Sequence, residues 1–138
     1  MLKILALLTL LASTAVHAQT PLQTDLPLKY LAQATTDSNH QPLVIFLHGY
    51  GSNEQDLFGI KDDLPASYTY LSVRAPLVME AGSYQWFSKK GEGAYNGETV
   101  DLKSSGQVLL DFIAQAAKKY HTEPETVSYT HLTLPTKA

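Results

Sequence analysis

A histidine and two glycines directly after a hydrophobic run are the residues of this chain best placed to do chemistry. Pro42 to Phe58 reads PLVIFLHGYGSNEQDLF, and its unbroken apolar run Leu43 to Leu47 ends abruptly at His48-Gly49-Tyr50-Gly51. Such a run, rich in β-branched and aromatic side chains, predicts a strand buried on both faces, the kind that belongs to parallel α/β sheets. The glycines let the backbone turn sharply and leave its N–H groups uncovered. Ser52 or Asn53 is placed to cap a following helix whose first turn holds Glu54 and Asp56. A strand, a glycine turn and a helix N-terminus together make an anion site.

Two readings of that site compete. Gly49-x-Gly51 after a strand resembles a dinucleotide-binding turn, but Glu54 stands where the third glycine belongs, and the next strand ends at Val73-Arg74 without the acidic residue that binds a ribose. In the second reading, LHGYGSNEQDLF resembles the His-Gly-x-Gly oxyanion loop of α/β-hydrolases, in the phospholipase/carboxylesterase family that includes the acyl-protein thioesterases. A strand running into Arg74-Ala75-Pro76 and the pair Trp86-Phe87 resemble the same family, and the resemblance covers about residues 25 to 127. It implies an α/β-hydrolase fold and a serine hydrolase acting on small acyl esters or thioesters. Tyr50 would donate its backbone N–H to the oxyanion, held by Gly49 and Gly51, while His48 would support the loop and not act as the base. Trp86 and Phe87 would wall the acyl or aryl pocket. Packing alone, as a small satellite core beneath their loop, explains that aromatic pair equally well.

The elements that must position these residues are partly legible. Leu28 to Thr35 alternates loosely and predicts a strand with one solvated face. The turn cluster Asp37-Ser38-Asn39-His40 would then join it to the Leu43 strand as an antiparallel hairpin. Leu57, Phe58 and Ile60 predict one side of a short helix over Glu54 to Ile60, and Tyr68 to Val73 predicts a second strand. Met79 to Gly97, rich in glycine and aromatics, reads as an irregular loop in which Lys89 and Lys90 form a solvated turn. Asp101 to Tyr120 is the clearest helix: Val108, Leu109, Phe112, Ile113, Ala116, Ala117 and Tyr120 share a stripe. Glu98 and Asp101 near its start and Lys118, Lys119 and His121 at its end complement the helix dipole, which gives His121 a structural role.

The chain has 138 residues, 44% hydrophobic and 17% charged, with a formal net charge of -3. That composition fits one globular domain and suggests neither nucleic acid nor a charged membrane surface as partner. Met1 to Ala18 has a lone Lys3, an apolar run from Ile4 to Ala12 broken only by Thr9, and Val16-His17-Ala18 before the next segment. This is the pattern of a signal peptide cleaved after Ala18, and the run is short of the roughly 20 apolar residues that span a bilayer. Export to a periplasm or beyond is therefore expected, with no stable membrane anchor. The chain has no cysteine, which excludes a lipid-modified cysteine and a disulfide framework. No His, Asp or Glu cluster has metal-ligand spacing, so neither a metal nor an organic cofactor is expected.

The resemblance also implies residues that are not present. Glu123 to Val127 should lead into the strand that ends in the nucleophile elbow G-x-S-x-G, and that motif occurs nowhere in these residues. Ser128 lies between Val127 and Tyr129 with no glycine beside it, and His131 three residues on does not make a dyad. The last stretch, SYTHLTLPTKA from Ser128 to Ala138, resembles a translated sequencing adaptor. The expected organisation is a signal peptide over 1–18, the N-terminal half of an α/β-hydrolase over 19–127, truncated before the nucleophile elbow, and a non-native tail over 128–138. Such a chain would lack the catalytic Ser, Asp and His, leave Leu43 to Leu47 as an exposed apolar edge, and be insoluble or partly unfolded. Its partner would be a small acyl ester. The alternative from another class is a non-catalytic exported module that uses the same loops as a ligand cradle. Sequence does not fix the oligomeric state.

Overall fold

The computed structural model describes residues 19–36, 39–91, 97–122 and 127–131, the last by backbone alone. The predicted signal peptide and most of the predicted tail lie outside the described residues. Four strands form the main sheet: β1 (Tyr30–Gln33), β2 (Leu43–Leu47), β3 (Thr69–Val73) and, after the helix, the strand Val127–His131. Between them lie a 3₁₀ helix (Phe58–Asp63), a two-stranded hairpin of β4 (Leu77–Glu80) and β5 (Ser83–Gln85), and the helix α1 (Thr99–Lys119). The strand Val127–His131 is β6, and the sheet order is β1-β3-β2-β6.

The apolar run Leu43–Leu47 is buried as its composition demands. Its residues alternate between two cores, the pattern of a strand covered on both faces. Leu43, Ile45 and Leu47 pack with Leu71, Val73, Tyr30, the α1 residues Phe112 and Ala116, and Tyr120, which caps the end of α1. Phe46 turns to the opposite face, with Leu31, Leu57, Phe58 and Tyr70. Edge-to-face contact of Tyr30 with Phe112 (5.3 Å between centroids) and stacking of Phe46 on Tyr70 (6.1 Å) mark the two layers. The α1 stripe is the predicted one: Phe112, Ala116 and Tyr120 are buried, and Val108, Leu109 and Ile113 flank them.

Several sequence expectations are corrected. The antiparallel partner of β1 is β3 and not β2, with Tyr30 opposite Val73, because β2 pairs in parallel with β3 on one side and with β6 on the other. The apolar strand is therefore no edge: Leu43–Leu47 lies against Val127–His131, a strand that crosses the boundary drawn at residue 127. The helix expected over Glu54 to Ile60 is instead a run of tight turns leading into the 3₁₀ helix, with Asp56 N–H bonded to Asn53 O and Phe58 N–H to Gln55 O. The segment read as an irregular loop begins with the β4–β5 hairpin, whose turn has Gly82 at φ +79°.

The end of α1 explains His121. Thr122 N–H reaches Ala117 O at 2.9 Å and His121 N–H reaches Lys118 O at 3.4 Å, the paired bonds of a Schellman cap, with His121 at φ +53° where glycine is usual. His121 O in turn accepts the N–H of His40, which also has positive φ. His121→Gly removes the left-handed penalty of a side chain and should raise stability by about 0.5–1 kcal/mol, net of the added chain entropy of glycine. Thermal unfolding of the two chains checks this, and an unchanged or lower midpoint would refute it.

Candidate functional site

Topology locates the site before any side chain is considered. From β2 the chain moves to β3 on one side, and then through α1 to β6 on the other, so the winding direction reverses at β2. In open parallel sheets, ligands bind beyond the carboxyl ends of the strands at such a switch point. Val73, Leu47 and His131 lie level across β3, β2 and β6. The residues that leave β2 there are His48, Gly49, Tyr50 and Gly51.

His48 is 1% exposed, and both ring nitrogens are engaged. Nε2 lies 3.0 Å from the N–H of Ala75, which donates to it, and Nδ1 lies 2.8 Å from Gly49 O, which requires a proton on Nδ1. This pairing fixes one neutral tautomer. Burial pushes the imidazole pKa below its ordinary value, against the opposing pull of Gly49 O and the Glu54 carboxylate. With its lone pair held by a backbone amide, His48 has no free nitrogen to take a substrate proton, and its geometry is that of a loop support.

The turn itself closes through Ser52 N–H to Gly49 O at 3.2 Å, with Gly51 at φ +77°, the value of the third residue in a type II turn. Hairpin β4–β5 clasps its far side. Gly51 N–H donates to Tyr84 O, Tyr84 N–H to Ser52 O, the Ser83 hydroxyl to Gly51 O, and the Asn53 amide to Gly82 O, all at 2.8–2.9 Å. Among the described residues, the Tyr50 N–H has no hydrogen-bond acceptor.

Beneath the turn lies an ion pair that the sequence did not reveal. Arg74 grips Glu54 with two bonds, Nε to Oε2 at 2.8 Å and Nη2 to Oε1 at 2.5 Å, while its guanidinium lies 4.4 Å from the centre of the Tyr84 ring. Ser72 holds the backbone O of Glu54 at 2.6 Å. Burial raises the Glu54 pKa, but the Arg74 bonds and the residue's own backbone N–H outweigh it and hold the carboxyl below its ordinary range. The sequence marks Glu54 as a first-turn acid and Arg74 as part of a motif. Their 20-residue separation leaves no local signal, apart from an acidic residue just after the loop and an arginine just after the next strand.

Trp86 and Phe87 do different things. Trp86 packs against the α1 side of the core, and its indole N–H donates to His48 O at 2.9 Å, so it ties its segment to the loop. Phe87 is half-buried, 6.4 Å from the Tyr50 ring, and packs against Gly97, where an added Cβ would come within 2.9 Å of it. Ser105 holds Trp86 O at 2.5 Å, and Asp101 accepts the Ser88 N–H at 2.9 Å. Two surface depressions, one lined by Leu31, Gln55, Phe58 and Lys61 and the other by Lys29, Arg74, Pro76 and Tyr84, include neither aromatic. Among the described residues no group of three His, Cys, Asp or Glu side chains could hold a metal ion.

No family model matches the chain. It is similar to the Bacillus subtilis (strain 168) protein named "Putative hydrolase MhqD", at 30% identity over 93 residues, 67% of this chain and 44% of that protein. Among solved structures, the Bacillus cereus carboxylesterase superimposes with a TM-score of 0.61 at 29% identity, over 74% of this chain and 46% of that one. The chain is part of an α/β-hydrolase of the carboxylesterase type. A carboxylesterase from Mesorhizobium loti shares the fold, with a TM-score of 0.66 at 21% identity over 79% of this chain and 50% of that one. The chain thus spans about half the length of the hydrolases it matches.

Two predictions follow from the electrostatics of this hydrolase loop. Glu54→Gln leaves Arg74 short of its counter-charge and should cost about 2 kcal/mol at pH 7, less than for a fully enclosed pair because Arg74 is partly exposed. The pair's contribution, present above the unfolded carboxyl pKa of about 4.3, is lost as pH falls through the lower folded value. The two chains should therefore converge in strong acid, and denaturant unfolding from pH 7 to pH 3 tests this, a constant gap being the contrary result. For His48 the folded pKa is also depressed, so its contribution is full above the unfolded value of about 6.5 and declines as pH falls from there to the folded pKa. The His48 ring resonances followed by NMR should stay those of the neutral Nδ1–H form through pH 6.5, and a midpoint at or above 6.5 would contradict the buried geometry.

Proposed function

We propose that this chain contributes the oxyanion-binding half of an exported hydrolase of small carboxylic esters or thioesters. The observation that carries the reading is the Tyr50 N–H, which has no acceptor among the described residues, in a turn braced by His48 and the β4–β5 hairpin at the switch point of the sheet. When a nucleophile adds to an ester carbonyl, the π electrons move onto oxygen. A fixed N–H aimed at that oxygen lowers the barrier because it needs no reorganisation at the moment of reaction. Gly49 and Gly51 shape the turn and His48 braces it, while Phe87 and the Tyr50 ring offer apolar surface for the non-reacting part of the substrate. Export rests on the signal-peptide pattern of Met1 to Ala18.

These 138 residues contain no G-x-S-x-G, so the chain by itself should bind a carbonyl compound without forming an acyl-enzyme. The test begins at the source locus: sequence past codon 127, express what it encodes, and compare that protein with this chain on p-nitrophenyl acetate and butyrate. Turnover and labelling by a fluorophosphonate should belong to the longer protein alone. Labelling of this chain, or a longer protein inert towards both esters, would sink the reading. In the active protein Tyr50→Pro deletes the donor at a turn position where proline is common, and should lower kcat by about 10²–10³-fold with KM little changed. Tyr50→Ala keeps the N–H and should not.

A further inference from the structure

The ring of Tyr50 has surroundings that the oxyanion role of its N–H does not explain. It is 45% exposed, flanked on one side by Phe87, and Nζ of Lys89 stands 4.2 Å from its centroid. Lys89 is not free to wander. Ser88 N–H is held by the Asp101 carboxylate on the first turn of α1, Glu98 N–H returns to Ser88 O, and Lys89 itself bridges Gly97. The neighbouring Lys90 turns away to Glu98 at 3.0 Å. Lys89 belongs to none of the ion pairs among the described residues, which join Lys61 to Asp62, Arg74 to Glu54, Lys90 to Glu98 and Lys119 to Asp25. An ammonium is thus kept, with no counter-ion among the described residues, on the side chain of the residue that carries the proposed oxyanion donor.

We propose that Lys89 is a specificity-determining residue, which makes the site prefer carbonyl compounds that carry a carboxylate a few bonds from the reacting carbonyl over neutral ones of the same shape. The inference rests on the placement of the carbonyl at Tyr50 argued above. An ammonium on an exposed aromatic face is weakly held and remains hydrated, so it can turn to a carboxylate at little cost. Lys89 is exposed, so its attraction to a carboxylate is screened and the preference is moderate and salt-sensitive. Phe87 and the Tyr50 ring take the apolar portion between the two polar ends.

The test uses a ketone pair that cannot be hydrolysed, so it does not depend on turnover: 4-oxo-4-phenylbutanoate and neutral butyrophenone, titrated into the full 138-residue chain and followed by NMR. The anion should bind about fivefold more tightly than the neutral ketone at 20 mM salt, a preference typical of an exposed charge pair. The ratio should fall towards one at 500 mM salt and in Lys89→Gln, and persist in Lys90→Gln. An unchanged ratio in Lys89→Gln, an equal loss in Lys90→Gln, or no binding of either ketone would overturn the proposal. The same ratio measured as kcat/KM on p-nitrophenyl hemisuccinate and p-nitrophenyl butyrate in the longer protein separates the two readings. Loss of ester hydrolysis there would fail the hydrolase assignment, while hydrolysis with no Lys89 dependence would fail this inference alone.

Discussion

The site depends on one ring bridging two strands. His48 sits at the end of β2, and its two nitrogens satisfy a carbonyl in its own turn and an N–H just past the end of β3. Parallel pairing of β2 with β3 brings those groups within reach of one imidazole, because Leu47 lies opposite Val73 and each chain then leaves the sheet in the same direction. A side chain with only one polar group could satisfy just one of them. Without the ring acceptor the Ala75 N–H would remain a buried, unpaired backbone group, at a cost of roughly 1–3 kcal/mol, while Gly49 O would keep only its bond from the Ser52 N–H. Histidine in its neutral form offers a donor and an acceptor at fixed separation, which accounts for its presence at a site where it performs no proton transfer.

The Glu54–Arg74 pair works one layer further out. A buried ion pair adds little net stability, because desolvating the two charges offsets most of their attraction. What this one supplies is direction: Arg74 leaves β3, Glu54 leaves the turn, and Tyr84 of the hairpin lies on the guanidinium face. The turn, the end of β3 and the hairpin are thereby held together. The hairpin can then make its four hydrogen bonds to residues 51–53, none of which uses the Tyr50 N–H.

Legibility in the sequence followed the range of the forces. The β2 and β3 strands and the α1 stripe were readable because burial is written into consecutive or periodic apolar residues, and the type of the sheet followed from the unbroken Leu43 run. Which strand lies beside β1 was not readable, since Tyr30 to Gln33 suits either neighbour and the choice is settled by what else packs on β2. The β4–β5 hairpin escaped notice because Val78 and Met79 are exposed and its strands are short, so neither alternation nor burial marks it. The 3₁₀ helix replaced an α-helix where Gly59 and the Asp62-Asp63 pair weaken helix propensity. The loop motif drew attention to His48 through Gly51, but not to Glu54, Arg74 or the hairpin, whose contributions are contacts across 20 or more positions.

An unpaired N–H is usually a liability, and its tolerance here follows from exposure. Tyr50 is an exposed residue, and at an exposed turn water can stand in for a protein acceptor, so a backbone donor there is not stranded as it would be in a core. In the proposed role, the donor gains value when a bound acyl group displaces water and lowers the local dielectric, which strengthens its attraction to a developing negative charge. Rigidity is what makes the exchange favourable: the turn is already fixed by His48, Gly51 and the hairpin before any ligand arrives, so none of the gain is spent on ordering the backbone. A flexible loop with the same glycines but without the His48 bridge and the Glu54–Arg74 support would bind water equally well and an oxyanion poorly.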